Sequence, residues 1–235
     1  MSRAFFQFKQ FTVFHDKCAM KVGTDGVLLG AWAPADGAER ILDVGTGTGL
    51  IALQLAQREP RARITAIEID AAAAGQAAEN VARSPWHDRV EIVCQDFRNY
   101  EPAGKFDLIV SNPPYFTDAL KCPDEQRSAA RHTGLLDYGS LFGRSASLLE
   151  EEGVVSVIIP AEAEKRVIDA AWSHRLFPVR RLQVFTKPGK PCRRVMLAFG
   201  FGMRPCREER LCIEAAHGGY SAEYVALTRD FYLNM

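Results

Sequence analysis

The sequence predicts an α/β fold, a doubly wound, mostly parallel sheet of seven strands with a short N-terminal extension. Three observations support this fold class. A chain of 235 residues with 47% hydrophobic content can bury a substantial core. Apolar runs of strand length alternate with segments of helical periodicity. A glycine-rich loop joins the first run to the next helix, as in nucleotide-binding α/β folds. We expect one domain at residues 39–235, with an N-terminal segment, residues 1–38, packed on it.

The N-terminal segment contains one predicted helix. Gly23-Thr24-Asp25-Gly26 is typical of a turn, and an apolar helix is expected to follow from Val27 to Trp32. Either Thr24 or Asp25 can cap that helix with its side chain. Beyond this segment, strands are expected near residues 40, 63, 90, 106, 154, 179 and 195.

The first predicted strand, Arg40 to Val44, runs into Gly45, Gly47 and Gly49, and a helix is expected from Leu50 to Arg58. Alternate glycines let the chain bend sharply and let a ligand approach the main chain. The free N–H groups of the helix favour a nucleotide or a carboxylate. A dinucleotide fits less well because Leu50 replaces the third glycine of that fingerprint, and the loop lacks the Gly-Lys-Ser/Thr ending of a triphosphate site.

Acidic residues end the next two predicted strands. Glu68 lies 25 residues beyond Asp43, close to the spacing of a carboxylate that binds ribose hydroxyls. Asp70 is expected to cap a helix over residues 71–83. Asp96 can accept from an adenine amine while Phe97 flanks the base; the structural alternatives are a turn residue and a core residue. Such strand ends gather at one edge of a parallel sheet.

Asn112-Pro113-Pro114-Tyr115 ends the fourth predicted strand. Two prolines cannot donate backbone hydrogen bonds, so the strand gives way to a rigid, extended loop. The Asn112 side chain and the Pro113 carbonyl can accept both N–H bonds of a planar NH₂ group, and Tyr115 can stack on the ring that carries it. The alternative is a Pro-rich turn after a buried strand.

Taken in order, these motifs resemble the class I S-adenosylmethionine-dependent methyltransferases, and Asn112 to Tyr115 resembles their amino-methylating branch. The resemblance covers about the first two thirds of the chain. It implies a Rossmann-like sheet whose seventh strand is antiparallel and lies between the fifth and sixth. It also implies S-adenosylmethionine as cofactor and catalytic roles for Asn112, Pro113 and Tyr115. The cofactor residues would be Asp43, Gly45, Gly47, Gly49, Glu68, Asp96 and Phe97.

Three further stretches resemble the bacterial enzymes that methylate N6 of adenine 37 in valine tRNA. They are Phe8 to Phe11, Met20 to Trp32, and Ala130-Arg131-His132. In those relatives the second stretch packs over the amino-acid end of the cofactor. Lys21 and Asp25 are therefore secondary cofactor candidates.

Charge is balanced overall, with 29 basic and 29 acidic residues, yet it is unevenly distributed. A Pro/Gly loop near residue 190 carries Lys187, Lys190, Arg193 and Arg194 between two apolar runs. These cations, together with Pro114, are candidate substrate-binding residues for the phosphates and base of a tRNA. A solvated hairpin is the alternative. Residues 117–135 form a polar stretch suited to a lid over the substrate or to a plain surface connection.

Several classes of protein are disfavoured by the sequence. No apolar run reaches 18 residues and no signal peptide is evident, so we expect a cytoplasmic protein that does not bind membranes. The cysteines and histidines lack the spacing of metal ligands, and we expect no metal. No obligate protein partner is evident.

Two other functions remain open from sequence. Enzymes that methylate glutamine N5 in release factors use the same tetrapeptide on a similar planar amide. A non-catalytic cofactor-binding module that binds RNA or protein is the second. The basic loop and the Met20 to Trp32 stretch favour tRNA, and DNA adenine is not excluded.

Overall fold

The computed structural model describes residues 4–18, 21–114 and 136–235. Its centre is an eight-stranded sheet in the order β10-β8-β9-β7-β6-β3-β4-β5, beside a two-stranded N-terminal hairpin, β1-β2. The strands are β1 Phe5–Gln7, β2 Thr12–Phe14, β3 Arg40–Val44, β4 Arg63–Glu68, β5 Val90–Cys94, β6 Phe106–Ser111, β7 Leu149–Pro160, β8 Leu176–Phe185, β9 Cys192–Phe201 and β10 Arg207–Cys212.

Strand direction in the central sheet confirms the predicted topology. β3 to β8 and β10 all run the same way, whereas β9 is antiparallel to both of its neighbours, β7 and β8. β9 is the seventh predicted strand, and it lies between the fifth and the sixth. We call the side of the sheet where the parallel strands end the carboxyl edge, and the opposite side the amino edge.

The predicted count of seven strands was wrong by one. β10 pairs in parallel with β8 and forms the edge of the sheet. Its sequence, Arg-Glu-Glu-Arg-Leu-Cys, lacks the apolar alternation of a strand, because its charges pair with its neighbour: Glu209 binds Arg180 at 2.7 Å and Glu208 binds Arg181 at 3.4 Å. Charged residues are common on edge strands, where they discourage pairing with other chains.

Six α-helices are present among the described residues: α1 Thr24–Trp32, α2 Leu50–Arg58, α3 Ala71–Ala82, α4 Tyr138–Leu148, α5 Glu164–Trp172 and α6 Ala222–Thr228. The bounds of α2 and the start of α3 confirm the prediction. α1 begins three residues earlier than expected, and its cap residue is Gly23 with no side-chain hydrogen bond, so the predicted capping by Thr24 or Asp25 was wrong. α3 is capped by Asp70, which accepts from the N–H of Ala73 at 2.8 Å.

Helices pack on both faces of the sheet and create two apolar cores. One joins α1 and α2 to the N-terminal hairpin, in which Phe8 and Val13 are buried. The other lies under α4 and α5, around Phe142 and Phe199. The N-terminal hairpin is thus anchored in the main core.

Candidate active site

The loop after β3 is a glycine-lined cradle at the carboxyl edge. Gly45 and Gly47 have φ angles of 71° and 56°, a region that other residues rarely adopt. A side chain at either position would project into open space. The N–H groups of Gly45 and Thr46 bind the carbonyl of Ile67, so the cradle is fixed to the end of β4.

Asp43 supports this loop from inside the protein. Its Oδ2 accepts from the Thr46 hydroxyl at 2.6 Å and from the N–H of Ala52 at 3.2 Å. Burial raises the pKa of Asp43 to about 7, against the lowering effect of these two hydrogen bonds. Asp43 does not line the cavity that this loop borders. Gly49 precedes α2, and a side chain there would meet Ala77 of α3 at 3.5 Å. Asp43 thus shapes the loop, and direct cofactor binding by Asp43 and Gly49 stays a prediction.

Glu68 stands at the end of β4, beside the cradle. One carboxylate oxygen accepts from the N–H of Gly47 at 2.9 Å, and the other accepts from the N–H of Asp70 at 3.0 Å. These bonds hold the carboxylate at the mouth of the cavity, where it is half-buried. Glu68 lines the cavity described below, and its ribose-binding role stays a prediction.

Asp96 and Phe97 follow β5 and also border the cavity. The Asp96 carboxylate binds the Arg98 guanidinium at 2.5 Å and accepts from its backbone N–H at 2.9 Å. The Arg98 hydrogen bond holds the pKa of Asp96 below its usual value. Phe97 is buried. Asp96 is thus also a turn residue and Phe97 also a core residue, the two alternatives named above. Arg98 lines the cavity as well, and no sequence motif predicted it.

The predicted amine-binding loop leaves the end of β6. The hydroxyl of buried Ser111 donates to the carbonyl of Val44 at 2.8 Å, which ties this loop to the cradle strand. Asn112 is half-buried, Pro113 is buried and Pro114 is exposed. Tyr115, Ala130-Arg131-His132 and the proposed lid at 117–135 lie outside the described residues.

A single cavity of about 570 Å³ collects these groups. Of the predicted site residues it is lined by Gly45, Gly47, Glu68, Asp96, Phe97, Asn112, Pro113 and Pro114. Lys17, Cys18, Ser111 and Leu136 also line it, and none of these was predicted as a cofactor or catalytic residue. Lys17 and Cys18 belong to the N-terminal segment. No local sequence pattern predicts how that segment packs on the core.

Lys21 and Asp25 do not line this cavity, and their role as cofactor residues stays a prediction. Asp25 accepts from Arg194 Nε at 2.8 Å, an ion pair that joins α1 to β9. Lys21 lines a different groove, near the N-terminal hairpin. The N-terminal segment does reach the cavity, but through Lys17 and Cys18.

The predicted basic loop connects β8 to β9. Because β8 is parallel to β3, β4 and β6, this hairpin tip projects from the carboxyl edge, the edge that carries Asn112. Lys187 pairs with Glu214 at 2.9 Å, whereas Lys190 and Arg193 are exposed. The structure therefore brings the candidate phosphate-binding residues to the same edge as the cavity.

The described residues contain neither a cluster of metal-binding side chains nor a helix that could span a membrane. Within residues 4–18, 21–114 and 136–235, no three His, Cys, Asp or Glu side chains are grouped closely enough to hold a metal ion. None of the six helices given above has the length and apolar character needed to cross a bilayer.

Similarity to known proteins agrees with this geometry. The family model "Methyltransferase small domain" matches residues 18–166. A protein of Bacteroides thetaiotaomicron named tRNA1(Val) (adenine(37)-N6)-methyltransferase is 58% identical over the whole of both chains. A relative of the same name from Aeromonas hydrophila is 47% identical and covers 98% of each chain.

Solved structures share the fold. A predicted O-methyltransferase from Agrobacterium tumefaciens aligns with a TM-score of 0.69 at 20% identity, over 88% of this chain and 96% of that one. The N-methyltransferase NodS from Bradyrhizobium japonicum, solved with S-adenosyl-L-homocysteine, aligns with a TM-score of 0.53 at 19% identity, over 75% of this chain and 84% of that one. The chain belongs to the methyltransferase small domain family and, within it, to the tRNA1(Val) (adenine(37)-N6)-methyltransferases.

Proposed function

We propose that the protein transfers a methyl group from S-adenosylmethionine to N6 of an adenine in tRNA, at position 37 of valine tRNA. The observation that carries this proposal is the meeting of Asn112 and Pro113 with the glycine cradle in one cavity. The names of full-length relatives at 47–58% identity support the substrate.

The cavity residues suit this cofactor. A volume of about 570 Å³ lies in the usual range for small-molecule sites. Glu68 would accept from the ribose hydroxyls, Asp96 from the adenine amine, and Phe97 would flank the purine. Gly45 and Gly47 leave room for the amino-acid end beside the main chain. Bound there, the cofactor would supply a methyl group on a sulfonium; it would leave as the neutral thioether, and the methylated nitrogen would release its extra proton to solvent.

The residues of the protein would make the adenine N6 amine a better nucleophile. The N6 lone pair is delocalised into the purine ring, which makes it a poor nucleophile. Acceptance of its two N–H bonds by the Asn112 side chain and the Pro113 carbonyl favours a pyramidal nitrogen whose lone pair faces the donor. Holding nucleophile and donor in line in this way is worth on the order of 7–11 kcal/mol. Tyr115 would clamp the flipped base by stacking, and Pro114 would contact it.

Substrate binding would use the hairpin between β8 and β9. Lys187, Lys190, Arg193 and Arg194 would contact tRNA phosphates, which position a nucleic acid without reading its sequence. We also propose that the protein acts in the cytoplasm as a single domain, with residues 1–38 packed on the core and no obligate protein partner.

Labelled S-adenosylmethionine separates this function from its two rivals. The protein is incubated with total tRNA or with a release factor, and the product is digested for mass spectrometry. We expect N6-methyladenosine in valine tRNA. Label in the release factor would indicate glutamine methylation instead, and label in neither acceptor would indicate a non-catalytic module.

A further inference from the structure

A second groove opens beyond the basic hairpin. It is lined by Phe5 and Phe6 of β1, by Tyr220, and by Tyr232 and Leu233 of the C-terminal tail. We call these five residues and the space between them the aromatic groove; its volume is about 990 Å³. None of these residues takes part in the site described above.

The groove concentrates exposed apolar surface. Seven large hydrophobic side chains are exposed in the part of the chain that the structure describes, and four of them line this groove: Phe5, Phe6, Tyr220 and Leu233. Tyr220 is 56% exposed although its ring lies only 5.1 Å from that of Tyr224. Clustered exposed apolar groups mark a binding surface, whereas single ones are ordinary.

The rings are held in place without being covered. Phe6 packs on Phe8 at 4.8 Å and on Tyr232 at 5.9 Å between ring centroids. Phe5 lies 5.7 Å from Phe14 across the hairpin. Rigid aromatic side chains lose little entropy when a ligand stacks on them.

Two contacts place the groove at the carboxyl edge. Ile213, which lines it, directly follows the end of β10. Thr24 lines it as well, next to Asp25, whose carboxylate binds Arg194 at the start of β9. Across the sheet the order is therefore groove, basic hairpin, then the Asn112 loop.

The spacing and charge of the surface between the groove and the Asn112 loop favour single-stranded RNA as the ligand. From β10 to β6 there are four strand intervals, or about 19 Å at the usual separation. A few nucleotides of single-stranded RNA span this distance. The cations of the hairpin lie between the two ends, and Lys21 lines the groove itself. An aromatic surface next to a basic track is the arrangement that binds unpaired nucleic acid.

We propose that the aromatic groove binds an unpaired base of the same RNA strand, a few nucleotides from the adenine that is methylated. This inference rests on the proposed function and extends it, because the groove would make the enzyme select a loop of sufficient length rather than any accessible adenine. Tyr220 supplies the stacking surface and Leu233 the apolar wall.

The test compares Tyr220→Ala with Trp172→Ala. Trp172 is also 56% exposed, but it ends α5 beside Phe177 at the amino edge and serves as the matched control. We expect Tyr220→Ala to raise KM for the tRNA transcript about 5- to 150-fold, the range for loss of one stacked base, with kcat and cofactor Kd unchanged. Tyr220→Phe should keep the wild-type KM, as should Trp172→Ala.

Leu233→Asp provides a second variant, because it places a negative charge in the groove without removing a packed ring. It should raise KM for tRNA, and more so at low salt. Equal KM for the wild type and both groove variants would overturn the groove proposal alone. A wild type that methylates no RNA would overturn the proposed function and this inference with it. If the wild type is a dimer and Tyr220→Ala is a monomer, the groove binds a second copy of the chain instead of RNA.

Discussion

The two ends of the carboxyl edge are built differently. The end that carries Asp43 and Glu68, which we call the cofactor end, contains hydrogen bonds between residues close in sequence: Asp43 with Thr46, three residues away, and Glu68 with Asp70, two residues away. At the far end, the surface is assembled from both chain termini and the hairpin, through pairs such as Asp25 with Arg194, 169 residues apart. The first end is a cavity held by local hydrogen bonds, whereas the second is an open surface of exposed rings and cations.

This difference predicts that substitutions at the two ends change different kinetic and binding constants. Changes at the cofactor end should alter chemistry or cofactor affinity and leave KM for RNA unchanged. Changes at the far end should raise KM for RNA and leave the chemical step and cofactor affinity unchanged. Asn112 lies where the two functions meet, since it would contact the acceptor beside the donor.

The largest effect is expected for Asn112→Ala. Losing one positioned hydrogen-bonding group at a reacting centre costs about 1,000-fold in kcat at the upper end of the known range. Cofactor Kd should not change, because the cradle and Glu68 are untouched. Asn99→Ala, which alters an exposed residue outside the cavity, is the control for an Asn lost nearby. Near wild-type turnover of Asn112→Ala would refute the amine-binding role.

Asp43 gives the cofactor end a distinct pH dependence. In the unfolded chain Asp ionises near pH 3.9, while burial raises the pKa of Asp43 to about 7 in the folded protein. Between these values the folded state holds the extra proton, so stability falls as the pH rises through this window. Wild type should lose roughly 3 kcal/mol relative to Asp43→Asn between about pH 4.5 and about pH 8. Urea unfolding of both proteins measures this, and parallel pH profiles would contradict it.

Glu68→Ala should weaken cofactor binding and leave KM for tRNA unchanged. Hydrogen bonds to a charged group are worth enough that cofactor Kd should rise about 10- to 100-fold, measured by calorimetry. Glu68→Gln keeps the shape and one acceptor oxygen, so its effect should be smaller. An increase in KM for tRNA with unchanged cofactor Kd would show that Glu68 acts in tRNA binding and not in cofactor binding.

The smallest effect is expected for the double variant Lys190→Ala/Arg193→Ala. Each lost phosphate contact should reduce the slope of log affinity against log salt by about 0.7, and KM for tRNA should rise while kcat stays constant. Lys105→Ala/Arg61→Ala removes the same charge from exposed positions just before β6 and β4, at the amino edge. If both pairs change the slope equally, the effect is one of net charge and the hairpin has no special role.

The contrast between the ends also explains what the sequence could predict. Helix α2 and the Asp70 cap follow from patterns within a few residues, and both were predicted correctly. β10 was missed because its charges are satisfied by β8, and the capping of α1 was misjudged because Asp25 pairs with Arg194 instead. Phe5 and Tyr220 line the same groove only because the N-terminal hairpin packs beside the C-terminal part of the chain, and no local sequence pattern predicts that packing.

The most direct test of the account is a crystal structure of the protein with S-adenosylhomocysteine. We expect its ribose at Glu68 and its sulfur facing the Asn112–Pro114 loop, with room for a methyl group and an amine nitrogen about 3–3.5 Å apart in line. A cofactor bound away from this loop, or a sulfur turned from Asn112, would contradict the central claim that one cavity brings donor and amine together.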